Sequence, residues 1–183
     1  MLDRQPVLSG TRVQLRPLAE NDWEALYAVA RDPEIWAMHP MHDRWQEDVF
    51  RAFFDDALEH GGALAIIDRE SGAIIGSSRF QDYRREDGGS VEIGWTFLAR
   101  DTWGTGHNRE IKQLMVSHAL EGVARVDFRV GETNWRSRRA LEKIGARPSP
   151  GRVEKPFVPG VGEVLHLYYE MTRDDYERVL GAG

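Results

Sequence analysis

The alternation of apolar and polar residues divides the first half of the chain into short elements. Alternation predicts a first strand over residues 12–18, and apolar residues three and four apart predict helices over residues 23–30 and 45–60. Further alternating runs predict consecutive strands of an antiparallel meander over residues 63–68, 73–80 and 90–98. This half of the chain therefore predicts helices packed on a sheet.

The next two elements predict a parallel pair of strands. A helix is expected to start near Gly106, and a strand over residues 125–130 follows it. The apolar stripe of that helix consists of Ile111, Leu114, Met115 and Ala119. A strand, a crossover helix and a second strand in sequence favour parallel pairing between residues 90–98 and 125–130.

The end of the chain is expected to close the sheet. A helix runs from an N-cap at Asn134 to a C-cap at Gly145. A Pro-Gly-Val-Gly turn between residues 153–158 and 163–171 predicts a hairpin, and a helix over residues 173–180 completes the domain. The segments expected to be flexible are residues 84–90, residues 148–151 and the terminal Gly-Ala-Gly.

Composition limits the kind of protein that this chain can form. A length of 183 residues with 41% hydrophobic content predicts a single domain over residues 1–183. A net charge of −6 and a pI near 5.5 argue against nucleic acid or an anionic membrane as partners. The absence of cysteine excludes disulfides and thiolate metal sites, and the absence of a signal peptide or a long apolar run predicts a cytoplasmic protein.

Two glycines precede the predicted helix that starts near Gly106. A helix N-terminus offers unpaired N–H groups, and Gly104 and Gly106 would let a ligand approach that backbone closely. The dipole disfavours Arg109 and Lys112 in the first turns by roughly 0.3–1 kcal/mol each unless an anion lies there. The loop lacks both the Walker sequence and the third glycine of the dinucleotide fingerprint. It therefore predicts a different phosphate-bearing ligand.

Three motifs accompany the predicted parallel pair. They are E-I-G-W from Glu92, W-G-T-G-H-N from Trp103, and N-W-R-S-R-R-A-L-E-K-I-G-A from Asn134. Together they resemble the GNAT superfamily of acetyltransferases, in particular its RimJ/RimL-like branch, over residues 11–178. The chain departs from the family pattern at Trp103, where Gln or Arg is usual, and at Asn108, where Gly or Ala is usual.

The resemblance implies both a fold and a coenzyme. The fold is α/β (α+β), with a mixed, mostly antiparallel sheet of about seven strands, a central parallel pair that splays apart, and flanking helices. Acetyl-CoA would place its pantetheine arm between the splayed strands and its phosphates on the glycine loop, without a metal. The residues expected to bind it are Gly94, Trp95, Thr96, Trp103, Gly104, Thr105, Gly106, His107, Asn108, Arg109, Asn134, Ser137 and Arg139. Helix capping would also explain Asn134, and a solvated helix face would also explain Arg139.

Glu92 is the candidate general base. Alternation puts it on the strand face opposite Val91, Ile93, Trp95 and Phe97, and a glutamate in mid-strand asks for a reason. It could be exposed or ion-paired, or it could accept the ammonium proton of the acceptor through water, while backbone N–H groups from Gly94 to Thr96 polarise the thioester. Many GNAT enzymes use a tyrosine at the position of Leu141 to protonate the thiolate. Ser137 is the substitute that we expect.

The connection between the first two helices is the candidate acceptor pocket. Residues 34–43 are rich in aromatic, Met and His residues, which suits either a packed connector or a pocket wall. The predicted substrate-binding residues are Trp36, His39, Met41, His42 and Tyr169, although core packing would also explain Tyr169. His39 and His42 compete with Glu92 as the base, and no metal site is expected because they lack a third ligand.

These observations predict an N-acetyltransferase that moves acetyl from acetyl-CoA to a primary amine by direct attack. The acceptor would be the α-amine of a protein or peptide N-terminus, or a small-molecule amine. The alternative is a non-catalytic module that senses acyl-CoA, which Leu141 and Asn108 make reasonable. The sequence leaves the oligomeric state open, with a homodimer as one alternative.

Overall fold

The computed structural model describes residues 2–180, and the terminal Gly-Ala-Gly lies outside the described residues. Ten strands are present in this part of the chain. In chain order, β1 to β10 are Leu8–Ser9, Val13–Pro17, Ala63–Asp68, Ile74–Arg84, Ser90–Leu98, Arg125–Gly131, Arg147–Glu154, Phe157–Val158, Gly162–Glu163 and His166–Thr172. Eight of them form one sheet in the order β1-β2-β3-β4-β5-β6-β10-β7, and β8 and β9 form a separate hairpin.

Six α-helices connect or flank these strands within residues 2–180. In chain order, α1 to α6 are Trp23–Ala30, Pro33–Trp36, Glu47–His60, His107–Gly122, Trp135–Lys143 and Arg173–Leu180. The predicted helices over residues 23–30 and 173–180 are confirmed at both ends, and the start near Gly106 is confirmed because Gly106 is the N-cap of α4. The short helix α2 inside the aromatic connection was not predicted. Asp32 caps it, and Pro33 occupies its first position.

The predicted splayed parallel pair is confirmed in the middle of the sheet. Strand β5 pairs with β6 in parallel only from Ser90↔Arg125 to Glu92↔Asp127. Beyond that point β5 continues to Leu98 and β6 to Gly131 without pairing to each other. The other strand pairs of the large sheet are antiparallel. A wedge-shaped cleft therefore opens directly after Glu92, with backbone groups of β5 along one wall.

A β-bulge breaks the alternation that the sequence predicted for β5. The register against β4 shifts between the pairs Phe97↔Ser77 and Gly94↔Arg79, and Trp95 has φ of 56°. Val91 and Ile93 consequently pack with α4, whereas Trp95 and Phe97 pack with α1 to α3. The prediction that these four side chains share a face was wrong, because one extra residue in the bulge exchanges the two faces.

The C-terminal strands also differ from the prediction. Residues 148–151, expected to be flexible, lie inside β7, which ends at Glu154. The predicted strand over residues 153–158 is interrupted after Glu154, but the predicted hairpin is confirmed, because Phe157–Val158 pairs antiparallel with Gly162–Glu163 across the Pro-Gly-Val-Gly turn. Pro148 and Pro150 are compatible with a strand here because β7 is at the edge of the sheet, where a missing N–H donor is tolerated. Strand β10 lies between β6 and β7, so the end of the chain does extend the sheet beyond the parallel pair.

Two apolar clusters hold the layers together. On one face of the sheet, residues of α4 such as Ile111 and Met115 pack against β2 to β6. On the other face, Phe50 and Phe54 of α3 pack with Trp23 of α1 and with Phe97. Burial of side chains of this size contributes about 1.5–3 kcal/mol each. Both clusters meet β5, which fixes the strand that forms one wall of the cleft.

Candidate active site

The glycine loop presents a free helix N-terminus. Gly106 has φ of 96° and Gly104 has φ of 77°, conformations that other residues adopt only with strain. No side chain caps α4, and a Cβ placed on Gly104 would meet no atom within 4 Å. Among the described residues, no group accepts a hydrogen bond from the first-turn N–H groups of His107 to Arg109, which lie at the positive end of the dipole. This geometry suits a phosphate group.

Side-chain contacts hold this loop in place. The Nε2 atom of His107 lies 3.1 Å from Asp68 Oδ1, and its Nδ1 atom lies 2.6 Å from Thr105 Oγ1. Hydrogen bonds from Ser71, together with the contact to His107, lower the pKa of Asp68 to about 2. Because their side chains are already engaged in this way, His107 and Thr105 could contribute to coenzyme binding through the backbone.

Of the three arginines on α5, Arg136 is the one that contacts the glycine loop. Its guanidinium lies 3.8 Å from the ring centroid of Trp103, and it donates to the carbonyl oxygen of Ile35 at 3.2 Å. Arg138 instead binds Tyr169 and the carbonyl of Glu132. Arg139, the predicted ligand, is exposed. Sequence reasoning could not choose among the three because that choice depends on the rotation of α5 about its axis.

Asn134 and Ser137 occupy the first turn of α5. The Oδ1 atom of Asn134 accepts a hydrogen bond from the Ser137 N–H at 3.1 Å, which confirms the predicted N-cap. Asn134 is buried, and its amide N–H₂ group makes no hydrogen bond within the described part of the chain. Leu141, at the usual tyrosine position, is buried in the apolar cluster and supplies no acid. Ser137 is half-buried.

Glu92 lies at the point where the parallel pair separates. It is 5% exposed, accepts a hydrogen bond from Gln81 Nε2 at 2.6 Å, and lies 3.4 Å from Arg129 Nε. Burial raises the pKa of its carboxyl group, and Arg129 and Gln81 oppose that shift. A Cβ on Gly94 would come within 3.1 Å of Glu92 Oε1, so the carboxylate lies directly beside the bulge. A raised pKa beside a cleft is what general-base work at neutral pH requires.

Lys112 was expected to lie near an anion at the start of α4, because it belongs to the first turns of that helix. Its side chain instead extends to the strands of the sheet. Its Nζ atom donates to Thr96 Oγ1 at 2.8 Å and lies 5.6 Å from the Phe128 ring centroid. Burial lowers the pKa of this amine to about 7. Because Thr96 belongs to β5 and Phe128 to β6, the amine lies between the splayed strands. Helical periodicity places Lys112 on one stripe with the buried residues Met115, Val116 and Ala119, but a lysine on such a stripe can still extend its amine to solvent, so the sequence gives no signal that the amine is buried.

The predicted acceptor residues separate into two groups. Trp36 is buried against Phe97, with ring centroids 5.0 Å apart, and His39 packs on its edge at 5.9 Å. Met41 is half-buried and His42 is exposed. Tyr169 is 1% exposed in the other apolar cluster, where its hydroxyl donates to Glu142 at 3.0 Å. The burial of Tyr169 favours the core-packing role over contact with an acceptor.

Arg44, Arg129 and His166 lie near Trp95, Glu92 and His39 but were not predicted. Arg44 follows the predicted loop directly, and its guanidinium lies 4.8 Å from the ring centroids of both Phe53 and Trp95. Burial lowers the pKa of His166, and so does nearby Arg129. A charged side chain gives no signal in the sequence that it is buried. The structure was therefore needed to find these three residues.

Some classes of site are not found in residues 2–180. No group of three or more His, Cys, Asp or Glu residues there is arranged to hold a metal ion. Within the same residues, no helix is both long and apolar enough to cross a membrane.

A splayed parallel pair beside an uncapped, glycine-rich helix start is the arrangement that the resemblance to the GNAT acetyltransferases implied. The family model described as "Acetyltransferase (GNAT) domain" matches residues 12–147. The chain therefore belongs to the GNAT acetyltransferase family and is an N-acetyltransferase that uses acetyl-CoA.

Solved structures share this fold over almost the whole chain. A GCN5-related N-acetyltransferase from Brucella melitensis has a TM-score of 0.83 at 18% identity, covering 97% of this chain and 83% of that one. Mycobacterium smegmatis RimJ in complex with CoA-disulfide has a TM-score of 0.75 at 19% identity, covering 100% and 98%. Spermidine N-acetyltransferase from Vibrio cholerae, in complex with CoA and spermine, has a TM-score of 0.70 at 14% identity, covering 92% and 99%. At these identities the likeness shows the fold alone.

Proposed function

We propose that this enzyme transfers acetyl directly from acetyl-CoA to a primary amine, with Glu92 as the general base. The acceptor is an α-amine of a peptide or protein N-terminus or a small-molecule amine, and the chain is assigned to the RimJ/RimL-like branch. The observation that carries the proposal is a buried carboxylate with a raised pKa beside the bulge of β5, at the mouth of the cleft.

The coenzyme would bind along β5 and the start of α4. Its phosphates would accept hydrogen bonds from the N–H groups of residues 106–109, and its pantetheine amides would pair with the free edge of β5 after Glu92. The amide N–H₂ of Asn134 would donate to the same arm, since its Oδ1 atom is already used by the cap. Two neighbours of similar fold, RimJ and spermidine N-acetyltransferase, are complexes with forms of CoA.

The reaction requires the acceptor to lose a proton, because an ammonium nitrogen has no free electron pair. Glu92 accepts that proton through a water molecule, the neutral amine nitrogen bonds to the thioester carbon, and the carbon–sulfur bond breaks. The new amide nitrogen then gives up its second proton, which neutralises the departing thiolate. A backbone N–H near the bulge polarises the carbonyl oxygen. The sulfur leaves as a thiolate, with assistance from Ser137. Without any acid, the cost is only ~2 kcal/mol because a thiol has a pKa of about 8.5.

The competing histidines are less suitable bases. Burial lowers the pKa of His39 to about 3, and the nearby charges of Arg44 and His166 add to that effect. An imidazole with so low a pKa holds a proton too weakly to draw one from an ammonium group. His42 is exposed, with its Nδ1 atom 3.4 Å from the carbonyl oxygen of Pro40. The electrostatics of the cleft therefore favour Glu92.

Coenzyme release separates an enzyme of this kind from an acyl-CoA sensor. Purified protein is incubated with acetyl-CoA and mixed amine pools that contain peptides and small amines, while free thiol is followed and products are identified by mass spectrometry. The proposal predicts thiol release that depends on amine, with one acetyl group on each acceptor molecule. Binding of acetyl-CoA without amine-dependent thiol release would support the sensor and overturn the proposal.

A further inference from the structure

Arg44 is a buried cation that has no bonded partner among residues 2–180. The residue is 8% exposed, and its guanidinium contacts the rings of Phe53, Trp95 and Trp36 at 4.8, 4.8 and 5.6 Å. Among the described residues, no carboxylate forms a salt bridge with it and no acceptor receives a hydrogen bond from it. Guanidinium groups with five N–H donors are seldom buried in this way.

The charge of Arg44 persists at neutral pH. Burial lowers the pKa of its guanidinium to about 10, and the nearby carboxylates of Asp43 and Asp56 oppose that shift. Asp56 is bound to Arg79 at 2.6 Å and to His60 at 3.2 Å, so it is not available as a close partner. Burial of an unpaired charge costs free energy. A bound anionic ligand would offset that cost by pairing with the guanidinium.

The aromatic rings around Arg44 supply no acceptor for the donor edge of its guanidinium. Rings stacked on the faces of a guanidinium exclude water from those faces but do not accept its in-plane N–H groups. The buried side-chain atoms without a hydrogen-bond partner in residues 2–180 are Arg79 Nε and His166 Nδ1. No Arg44 nitrogen is among them, so the unpartnered Arg44 nitrogens reach open space.

Arg44 and Glu92 lie on the same side of β5. Trp95, on which Arg44 stacks, follows Gly94, and Gly94 is the residue whose Cβ would contact Glu92. Because the bulge puts Trp95 on the face of Gly94 and Glu92, Glu92 and Trp95 lie on the same face of β5, three residues or roughly 10 Å apart along the strand. That spacing allows one small molecule to place an amine near Glu92 and an anionic group on Arg44.

We propose that Arg44 binds the carboxylate of the acceptor, so that the preferred substrates are amines that also carry a carboxylate group, such as free amino acids. This inference rests on the proposed function and narrows its acceptor. Planar guanidinium and carboxylate groups match in a bidentate pair, which fixes the position of the amine. A polyamine would instead bring further cations beside Arg44, Arg79 and Arg129, an unfavourable arrangement that would select against it.

The test compares acceptors that differ only in the carboxylate. Acetyl transfer is measured for the free amino acids, for the matching amino-acid amides and for spermine, with wild type, Arg44→Met, Arg44→Lys and Arg51→Met. Arg51 is the matched control, since it also stacks on an aromatic ring, that of Trp23, but is exposed. The kcat/KM for the amino acid is divided by the kcat/KM for its amide. Effects of a substitution on coenzyme binding or on the chemical step are common to both acceptors and cancel in this acid-to-amide ratio.

In wild type, we expect at least a tenfold preference for the best amino acid over its amide, through KM. Arg44→Met should bring that ratio near one, Arg44→Lys should give an intermediate ratio, and Arg51→Met should keep the wild-type ratio. The melting temperature of free Arg44→Met should be equal to or above that of wild type, because the variant removes an unpaired buried charge.

Two results would overturn this proposal. One is a wild-type enzyme that uses amides or spermine as well as amino acids. The other is an Arg44→Met variant that keeps the wild-type acid-to-amide ratio or that melts well below wild type. In either case the role of Arg44 would be structural. Either result accompanied by robust amine acetylation leaves the proposed function intact. Absence of transfer to every amine would overturn the proposed function as well.

Discussion

At the scale of single residues, Asn134 combines a structural role with a proposed binding role that can be separated. Asn134→Ala should lower stability by ~1 kcal/mol through loss of the N-cap, and it should also raise the acetyl-CoA KM because the amide donor is lost. Asn134→Ser is the control, since a serine keeps the cap but cannot reach the coenzyme arm. Melting curves and steady-state kinetics report the two effects. A lower melting temperature with an unchanged KM in Asn134→Ala would leave only the capping role.

Single residues also show where sequence reasoning ends. The cap at Asn134 and the glycines of the loop could be predicted because their roles depend on local backbone geometry. The burial of Arg44 without a paired charge and the burial of Lys112 could not be predicted. Each depends on the elements that surround the side chain, and those elements are distant in the sequence. For Glu92 the sequence indicated an unusual strand residue, and only the structure supplied the burial that raises its pKa.

At the scale of elements, the glycine loop and the N-terminus of α4 are proposed to bind the coenzyme phosphates together. Gly106→Val should weaken acetyl-CoA binding at least tenfold, because the side chain blocks approach to the backbone. The substitution also carries strain at φ of 96°. Gly160→Val carries similar strain at φ of 78° in open space, in the separate hairpin of β8 and β9, and so serves as the control. Calorimetry should show weakened acetyl-CoA affinity only for Gly106→Val. Equal affinity for both variants would mean that the coenzyme phosphates do not bind at this loop.

Helix α4 also buries an amine against the splayed strands, which predicts a pH dependence of stability. The pKa of Lys112 is about 7 in the folded protein and about 10.4 when unfolded, so between these values only the unfolded chain holds the proton. The free energy of unfolding should therefore rise with pH from about 7 to 10. Below pH 7 both states are protonated, and the full cost of the buried charge remains.

Lys112→Met tests this prediction. The variant should be more stable than wild type at pH 7, by about 1–3 kcal/mol, and the difference should shrink as pH rises toward 10. Urea unfolding at several pH values measures both quantities. A difference that does not vary with pH would mean that Lys112 is not held neutral in the fold.

The elements that sequence reasoning placed wrongly have a common physical cause. The bulge in β5 inserts one residue that no periodicity signals, and it exchanges the faces of Trp95 and Phe97. The proline-containing strand β7 was read as flexible because proline is unsuitable for inner strands, and only its edge position makes it acceptable. Both cases depend on how neighbouring strands are paired, which local sequence does not specify.

At the scale of the whole molecule, the layers converge on one short segment of β5. The apolar cluster with α4 fixes one side of this strand, the aromatic cluster with α3 fixes the other, and the separation from β6 opens the cleft between them. The resemblance of three motifs was enough to predict this arrangement, because splaying is a property of the family fold rather than of any single residue. Arg44, Arg129 and His166 were not predicted, since separate elements of the chain bring these side chains together around Glu92 and His39.

The turnover of Glu92→Gln tests the account most directly. The substitution is nearly isosteric and keeps an oxygen to accept from Gln81, so the fold and the acetyl-CoA affinity should be unchanged. Turnover at pH 7 should fall by about 100- to 10,000-fold, and raising the pH should recover part of it as more amine becomes neutral by itself. Full turnover of Glu92→Gln at pH 7, together with inactivity of His39→Ala or His42→Ala, would contradict the account and assign the base to the loop before α3.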